Sequence, residues 1–497
     1  MLLRLDPLRP LAEQVYEALG TAIRTGELAA GERLPPSRRL AIDLGVSRNT
    51  VVAAYQQLQA EGYVETRGAA GTRVARDIPS RGLPGAQPAT PPAAAPAGPR
   101  RRPGTLSREG QRVLRAGSVF APSTLLDRSH LPWNFDYNTT VSDPIARRAW
   151  HRVLRRVSSR YEPEAARFDF RRQPGPLHEA LVDHLRLTRG VVSESRRIIL
   201  TNSAQQAFQL AARLTVNPGD SVVVEDPHYL GVRRTLATQG ARIVPVGVDR
   251  HGLRVDRLPR TGRPRLVYTT PSHQFPTGAV QPLGRRLMLL DWARRHRAWI
   301  LENDHNCEYR YEGTSVPSIQ GLDDGDRVIY VGSFNRLFSP PPALGFMVVP
   351  ESLVEVFRAG ALIDGVAISR LEQEALAEFF TSRDMEKLLR RAWRNARAAR
   401  GELLSALRAL PRSDAEIHAA ATGMHLHVAL RGWSLDEVRR LVARAEELGV
   451  GVYPDEPFYL KPAANPGLLL GFWPLSADEI HEGVSRLGQA MRDIRPD

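Results

Sequence analysis

Short apolar runs rich in β-branched residues recur along the middle of the chain, and they constrain its fold more than any other feature. They lie at residues 198–200, 222–224, 243–246, 266–268, 299–301, 328–331 and 346–349. Segments with a helical pattern, such as 205–214 and 284–297, separate several of these runs. Buried strands that alternate with helices indicate a mostly parallel sheet with helices on both faces. We therefore predict an α/β fold for this region.

The turn between the last two runs is a natural place for reactive groups, because α/β folds bind ligands where buried strands end. It reads GSFNRLFSPPPALGF over residues 332–346. The strand pattern around this turn is typical of an enzyme. The residues within the turn are not typical of an enzyme, because they include Asn335 and Arg336 but no lysine.

The sequence pattern changes at about residue 369. Arg-rich helical segments come first, and apolar runs near 424–428, 451–453 and 468–470 follow. This mixture predicts a smaller α+β subdomain over residues 369–497, after a large domain at 134–368. A length of 497 residues agrees with about three domains.

Composition narrows the class of protein. The formal net charge of +14 favours a polyanionic partner, with nucleic acid as the first candidate. Lys387 and Lys461 are the lysines, so nearly all 68 basic residues are arginine, a bias that we attribute to a GC-rich genome. The single Cys307 excludes an intrachain disulfide framework. Because no signal peptide and no bilayer-length apolar run is visible, we expect a soluble cytoplasmic protein without a membrane partner.

Residues 1–75 have the pattern of a winged helix-turn-helix, which is an α+β unit. The first predicted helix begins near residue 11 and is amphipathic. The second covers 37–44 with Ser37 as its N-cap, and the third runs from Ser47 to about residue 61. In such a pair the second helix of the motif enters the major groove of DNA.

Residues able to bond phosphates or base edges open that third helix, and a predicted hairpin, the wing, follows it at 62–67 and 71–74. The stretch ERLPPSRRLAIDLGVSRNTVVAAYQQLQAEGYVETRGAAGTRVA resembles the winged-helix domain of the GntR family of bacterial regulators. The resemblance implies a double-stranded DNA operator, with Arg38 and Arg48 as main anchors. The residues implied to face DNA are Arg38, Ser47, Arg48, Asn49, Thr50, Gly71 and Thr72. The alternative is a small helical domain that packs against another protein.

Residues 76–133 contain GAQPATPPAAAPAGPRRRPG, a run that cannot bury a core. We predict a semi-rigid tether with a short helix at about 106–114. Its net charge is about +6, against about +1 for residues 1–75. Two interpretations stay open, namely nonspecific phosphate contacts that add to DNA affinity and a linker that only keeps the protein soluble.

Five later segments resemble fold-type I aminotransferases: NSAQQAFQL, NPGDSVVVEDPHY, TPSHQFPTG, LENDHNCEYRY and GSFNRLFSPPPALGF. Together with the winged helix they resemble the MocR/GabR-type regulators, in which an aminotransferase-like domain is fused to a GntR head. This second resemblance covers about residues 135–497. It implies a homodimer through the aminotransferase-like domain.

The cofactor implied by this resemblance is pyridoxal phosphate (PLP), which needs a lysine amine for its Schiff base. That position falls on Arg336, whose guanidinium stays protonated and is a poor nucleophile. Further positions differ from the family. Asn335 replaces a serine, Ala343 replaces the arginine that clamps the phosphate, and Asn303 replaces the carboxylate that pairs with the pyridinium nitrogen. His305 replaces a tyrosine near the phenolic oxygen, and Phe168 replaces a phosphate-binding tyrosine that the second subunit offers. Residues 468–470 are leucines where an arginine would hold a substrate carboxylate. We therefore expect no cofactor and no catalytic residue.

Part of the implied pocket keeps the family's character. Ser203, Ala204 and Gln205 open a helix whose N–H groups suit an anion. Tyr229 stands where the family places an aromatic residue near the cofactor ring, and His273 and Arg336 add polar groups. Either a small anionic effector binds here, or these residues only fill the cavity that the cofactor occupies in the family. Asp304, His305, Cys307 and Glu308 match no familiar zinc spacing, so we predict no metal site.

These observations predict a DNA-binding transcriptional regulator whose aminotransferase-like domain is a pseudoenzyme. Three alternatives remain: a regulator that binds PLP noncovalently, an active aminotransferase that carries a DNA-binding head, and a dimerisation module without any ligand.

Overall fold

The structure is a computed structural model, and it falls into two units, Met1–Arg102 and Pro103–Asp497. The described residues are 6, 9–66, 71–76, 106–118, 128–138, 144–160, 174–305, 309–312, 316–334, 344–365, 368–410, 414–418 and 421–495.

The first unit contains the predicted winged helix-turn-helix. Its elements are α1 (Leu11–Thr25), α2 (Ser37–Leu44), α3 (Arg48–Ala60), β1 (Val64–Thr66) and β2 (Thr72–Val74). The two strands pair antiparallel, with Val64 opposite Val74, and the Arg33 backbone bridges to Arg73 on the other side of β2. Val15, Val51 and Leu58 are among the fully buried residues that hold the helices together.

One detail of the head was predicted wrongly. Ser37 is the first residue of α2, and Pro36 occupies the N-cap without a side-chain hydrogen bond. A proline can precede a helix without a side-chain cap, because its ring fixes φ and it has no N–H group that would be left without an acceptor. Ser47, which was predicted to open the third helix, is the N-cap of α3.

The second unit is built on an eight-stranded sheet in the order β4-β11-β10-β9-β8-β5-β6-β7. Its strands are β4 (Ile198–Thr201), β5 (Ser221–Asp226), β6 (Arg242–Asp249), β7 (Gly252–Leu253), β8 (Leu266–Thr269), β9 (Trp299–Asn303), β10 (Val328–Ser333) and β11 (Gly345–Val348). Five central strands, β10-β9-β8-β5-β6, run parallel, whereas β11 runs antiparallel between β10 and β4. The prediction of a mostly parallel α/β sheet is confirmed.

Helices cover both faces of this sheet, as alternating strands and helices predict. The helices of this region are α5 (Pro144–Ser159), α6 (Pro176–Arg189), α7 (Ala204–Thr215), α8 (Leu230–Gln239), α9 (Leu283–His296) and α10 (Val354–Ile363). Phe208 of α7 and Phe357 of α10 pack in one core, and Leu289 of α9 packs in the core on the opposite face.

The C-terminal part forms the predicted α+β subdomain. Its four-stranded antiparallel sheet has the order β12-β13-β16-β15. Its elements are α11 (Arg370–Thr381), α12 (Arg383–Ala409), β12 (Ala415–His418), β13 (His425–Leu430), α13 (Leu435–Glu447), β14 (Val450–Gly451), β15 (Tyr453–Pro454), β16 (Gly467–Gly471) and α14 (Ala477–Ile494).

Part of the predicted tether belongs to this second unit. Helix α4 (Arg108–Ser118), close to the short helix predicted there, packs on α8, where Arg112 Nε donates to the Thr238 carbonyl at 2.6 Å. Strand β3 (Trp133–Asn134) pairs parallel with β14 of the C-terminal subdomain. These contacts depend on residues far along the chain, so composition alone does not reveal them.

None of the described helices is long and apolar enough to cross a lipid bilayer.

Candidate functional site

The start of α3 is the first candidate site. The Ser47 side chain accepts a hydrogen bond from the Thr50 N–H at 3.1 Å, which caps the helix. Arg48 and Asn49 are exposed beside this cap, and the first turn of α3 contains no acidic residue. A capped helix start with exposed basic and amide side chains suits contact with phosphates and base edges.

The two predicted anchor arginines differ from their neighbours in pairing. Arg38 and Arg48 are exposed and contact no carboxylate among the described residues, whereas Arg39 pairs with Asp43 at 3.1 Å. An unpaired guanidinium loses no existing ion pair when it binds a phosphate. The structure thus leaves the predicted anchors available for an anionic partner.

The predicted wing contacts lie next to a residue that sequence reasoning missed. Gly71 has φ +83°, a conformation that favours glycine, and Thr72 begins β2. The Arg33 guanidinium lies so close that a Cβ built on Gly71 would be 3.0 Å from its Nε. Arg33 therefore joins the polar residues at the base of the wing, and no local motif in the sequence marked it.

The start of α7 forms the second candidate site, within the aminotransferase-like unit. Ser203 caps this helix, because its side chain accepts from the Gln206 N–H at 3.2 Å. The Ala204 and Gln205 backbone N–H groups donate to no described acceptor. The Gln205 side chain points elsewhere, since its Nε2 donates to Thr235 Oγ1 at 2.8 Å and braces α8.

The end of β10 lies beside this helix start. Ser333, the last residue of β10, pairs with Gly345, which in turn pairs with Thr201 of β4. A Cβ on Gly345 would overlap the Ser203 and Ala204 backbone, so only glycine fits there. Ser333 was not among the predicted site residues, although its place at a strand end in the motif GSFNR is a signal that could have identified it.

Asn303 ends β9 and is buried beside Tyr268 of the neighbouring strand. Its Nδ2 donates to the Tyr268 hydroxyl at 2.9 Å. Burial raises the pKa of Tyr268 well above the ordinary value for a phenol, so this side chain stays neutral. The pair contains no negative charge.

A continuous series of ring contacts joins the remaining predicted pocket residues. Ring centroids of Tyr229 and Phe275 are 6.0 Å apart, those of Phe275 and His305 are 6.0 Å apart, and those of His305 and His273 are 5.4 Å apart. His273 Nδ1 also lies 3.0 Å from the Thr422 hydroxyl, on the C-terminal subdomain. The described pocket residues therefore come together, between the large sheet and the smaller one.

Leu469 of β16 packs with Phe275, Tyr453 and Phe458 in the same apolar cluster. It is one of the three leucines predicted to replace a carboxylate-binding arginine. In this place it contributes apolar surface and no charge.

Asp304 follows β9 and is held by a buried ion pair. Arg189 Nε donates to Asp304 Oδ2 at 2.6 Å, and the Tyr330 hydroxyl donates to the same oxygen at 2.7 Å. Burial disfavours the charged carboxylate, but the neighbouring Arg189 guanidinium outweighs it, and the pKa of Asp304 is lowered from its ordinary value. The Asp304 carboxylate thus serves a structural pair, and no group of metal-ligand type residues is found within the described ranges.

Several predicted positions lie outside the described residues. They are Asn335 and Arg336 of the implied cofactor pocket, together with Phe168, Cys307, Glu308 and Ala343.

Comparisons with known proteins match both units. Residues 11–74 match the bacterial regulatory proteins of the gntR family, and residues 171–458 match aminotransferase class I and II. The probable rhizopine catabolism regulatory protein MocR of Rhizobium meliloti is 34% identical, over 97% of this chain and 94% of its own. The pyridoxine biosynthesis transcriptional regulator PdxR of Corynebacterium glutamicum is 28% identical, over 98% of each chain.

Among solved structures, LysN, the alpha-aminoadipate aminotransferase of Thermus thermophilus, has a TM-score of 0.66 at 25% identity, over 76% of this chain and 97% of its own. A DNA-binding winged helix joined to an aminotransferase fold defines a class of transcriptional regulators. This chain belongs to the GntR family of regulators, in its MocR-type subgroup.

We predict that replacing Asp304 with asparagine destabilises the second unit. The change leaves the Arg189 charge buried without its carboxylate, a loss of roughly 3–5 kcal/mol in the free energy of unfolding. The control is Asp291→Asn, which breaks the exposed pair with Arg295 and costs about 0–1 kcal/mol. Calorimetric unfolding of the full chain measures both. Equal midpoints for the two variants would refute a structural role for the buried pair.

Proposed function

We propose that the aminotransferase-like unit of this regulator is a pseudoenzyme that serves dimerisation and effector sensing and forms no PLP aldimine. The hydrogen bond between Asn303 and Tyr268 carries the proposal. Where the family places a carboxylate for the pyridinium nitrogen, this chain places a neutral amide bonded to a neutral phenol. A protonated pyridine ring would gain no charge compensation from either group.

The sequence supports the same proposal at the Schiff-base position. Arg336 stands where the family has its lysine, and a guanidinium that stays protonated does not attack an aldehyde. The phosphate-clamping position is Ala343, which removes a second charge. Asn303, Arg336 and Ala343 therefore each lack the group that the cofactor needs. An arginine-rich composition would explain only Arg336, so we attribute the three losses to the absence of selection for catalysis.

A small anionic effector is the ligand that suits the remaining groups. The Ala204 and Gln205 N–H groups, which donate to no described acceptor, lie at the positive end of the α7 dipole. Ser333 lies close by through its pairing with Gly345. Because such an end binds carboxylates and phosphates alike, the pocket chemistry fits either anion.

Noncovalent PLP binding is the second candidate, and the exposure of Tyr229 favours it. This ring is 37% exposed, whereas its neighbours Phe208 and Phe275 are buried. An exposed aromatic face beside an anion-binding helix start accommodates a flat phosphorylated ring without a covalent bond.

In the proposed assembly, two copies of the chain associate through the aminotransferase-like unit and present two heads to repeated half-sites of one operator. An effector then regulates transcription only if it binds two arrangements of the dimer with different affinities. The choice between activation and repression would follow from where the operator lies relative to a promoter.

The DNA-contact assignment predicts that Arg48→Ala weakens operator binding by about 1–3 kcal/mol, because a direct guanidinium contact at the start of α3 is lost. The matched control is Arg9→Ala, which removes an arginine already paired with Glu17 at 3.1 Å. Gel-shift titration on a duplex selected from a random pool measures both. If Arg48→Ala binds like the unaltered chain, the orientation assigned to α3 is wrong.

The pseudoenzyme proposal predicts that Arg336→Lys alone does not restore a stable PLP adduct, since Asn303 and Ala343 are unchanged. The triple variant Asn303→Asp, Arg336→Lys, Ala343→Arg restores all three groups and is expected to yield an adduct that borohydride traps. Absorption spectra and mass mapping after reduction compare the two variants. A trapped adduct in the single variant would show that the pocket retains its cofactor chemistry.

A further inference from the structure

One helix of the second unit is rich in arginine and contains no acidic residue. The net charge of +14 divides into +1 for residues 1–75, +6 for 76–133 and +7 for 134–497. Residues 144–160 alone supply +6, because they contain six arginines and no acidic residue. The rest of residues 134–497 has a net charge of about +1, in which the basic α12 is offset by acidic residues elsewhere. Helix α5 differs from α12 in having no acidic residue of its own.

Helix α5 turns these arginines outwards. Ala146, Ala149, Trp150, Val153 and Val157 are buried and fix one side of the helix against the core, where the Trp150 and Phe379 ring centroids are 5.9 Å apart. With 3.6 residues per turn, the other side must face solvent. The exposed residues of this side include Arg147, Arg148, His151, Arg152, Arg155 and Arg156.

Three of these arginines contact no carboxylate among the residues that the structure describes. Arg156 contacts Glu378 of α11, and Arg160 donates to the same carboxylate at 2.7 Å. Arg147, Arg148 and Arg155 form no ion pair and no hydrogen bond within the described part of the chain. We call these three residues the α5 basic face.

Three arginines on other surface helices are arranged differently. Arg186 pairs with Asp183, Arg295 with Asp291 and Arg439 with Asp436, each three or four residues away and at 2.5–3.1 Å. Such pairs neutralise the surface locally. Helix α5 has no acidic residue of its own that could neutralise its arginines. The positive electrostatic field of these arginines therefore extends into solvent.

Arg148 and Arg155 share one open side of α5 with His151 and Arg152, beside the apolar Ile145 and Leu154. A helix of 16 residues is about 24 Å long, which is comparable with two-thirds of a turn of B-DNA. Because the phosphates of one strand are about 3.4 Å apart along the duplex axis, several of them fit within the length of this helix.

We propose that the α5 basic face is a second DNA-contact surface, which binds the phosphates of duplex DNA outside the sequence contacted by the winged helix. This proposal uses the DNA binding of the head and does not depend on the loss of PLP chemistry. A second copy of the chain is disfavoured as the occupant, because two such faces would bring like charges together. Duplex DNA is the polyanion that this regulator already binds.

The chain between the two units is long enough for both surfaces to contact one duplex. About 30 residues separate Arg76 of the head from Leu106 of the second unit. Fully extended, such a segment reaches about 100 Å, which is about three turns of B-DNA. The connecting segment therefore permits a second contact on a duplex that extends beyond the site of the head.

The test compares two full-length variants with the same change in net charge. One is Arg147→Gln, Arg148→Gln, Arg155→Gln. The control is Arg186→Gln, Arg295→Gln, Arg439→Gln, which removes three paired arginines. Fluorescence anisotropy measures binding to a labelled 60-base-pair duplex of arbitrary sequence between about 50 and 200 mM salt.

The proposal predicts that the slope of log affinity against log salt becomes shallower by about 2–3 in the α5 variant, because each phosphate contact contributes about 0.9. Affinity at the low-salt end falls on the order of tenfold or more, and the control keeps the slope of the unaltered chain. Equal slopes for the two variants would overturn the proposal. A change of dimer dissociation in sedimentation, with an unchanged slope, would also overturn it and assign the face to a second copy.

Failure of this proposal is distinguishable from failure of the head assignment. Arg48→Ala weakens binding to a selected operator and leaves the slope difference between the two triple variants intact. If that difference vanishes in the Arg48→Ala background, α5 makes no independent contact and the proposal is wrong.

Discussion

The hydrogen-bonded ladder of β9, β10, β11 and β4 is the constraint on which the rest of the second unit depends. In its register Asn303 pairs with Val331, Ser333 pairs with Gly345, and Gly345 pairs with Thr201, two residues before the α7 cap. The antiparallel β11 brings these strand ends to one edge. The polar groups therefore meet because of backbone pairing, and the ladder does not require that they retain any chemistry. A pocket can lose its reactive residues while its geometry survives.

The sequence predicted the architecture well, because strand runs, helix periodicity and the helix-turn-helix pattern are local signals. It placed the sheet, the wing and the α7 start correctly. It did not reveal the antiparallel insertion of β11, the pairing of Trp133 with Val450, or the Arg189–Asp304 pair, because each joins residues far apart in the chain. Ser37 was misassigned as a cap, since Pro36 provides the helix start by fixing its backbone. The predicted pocket residues that the structure describes do come together, whereas their contacts with DNA or ligand remain predictions.

Arginine has two physical roles in this chain, and composition does not separate them. Arg189 and Arg286 are buried and fully engaged, the former with Asp304 and the latter with the carbonyl oxygens of Gln281, Pro317 and Pro271. Their charges orient elements inside the protein. On α5 the side chains of Arg147, Arg148 and Arg155 contact no carboxylate among the described residues and project charge outwards. Partner geometry, which only the fold provides, determines whether an arginine stabilises the interior or attracts a polyanion.

The central claim is that a MocR-type regulator keeps the aminotransferase fold without its covalent cofactor chemistry. The most direct measurement is the visible absorption spectrum of the purified full-length protein, before and after excess PLP and borohydride, followed by mass mapping. The account predicts no aldimine band and no trapped adduct, even if PLP binds noncovalently. A trapped adduct on Lys387 or Lys461 would contradict it, because one of these lysines would then reach the pocket and supply the amine that Arg336 does not.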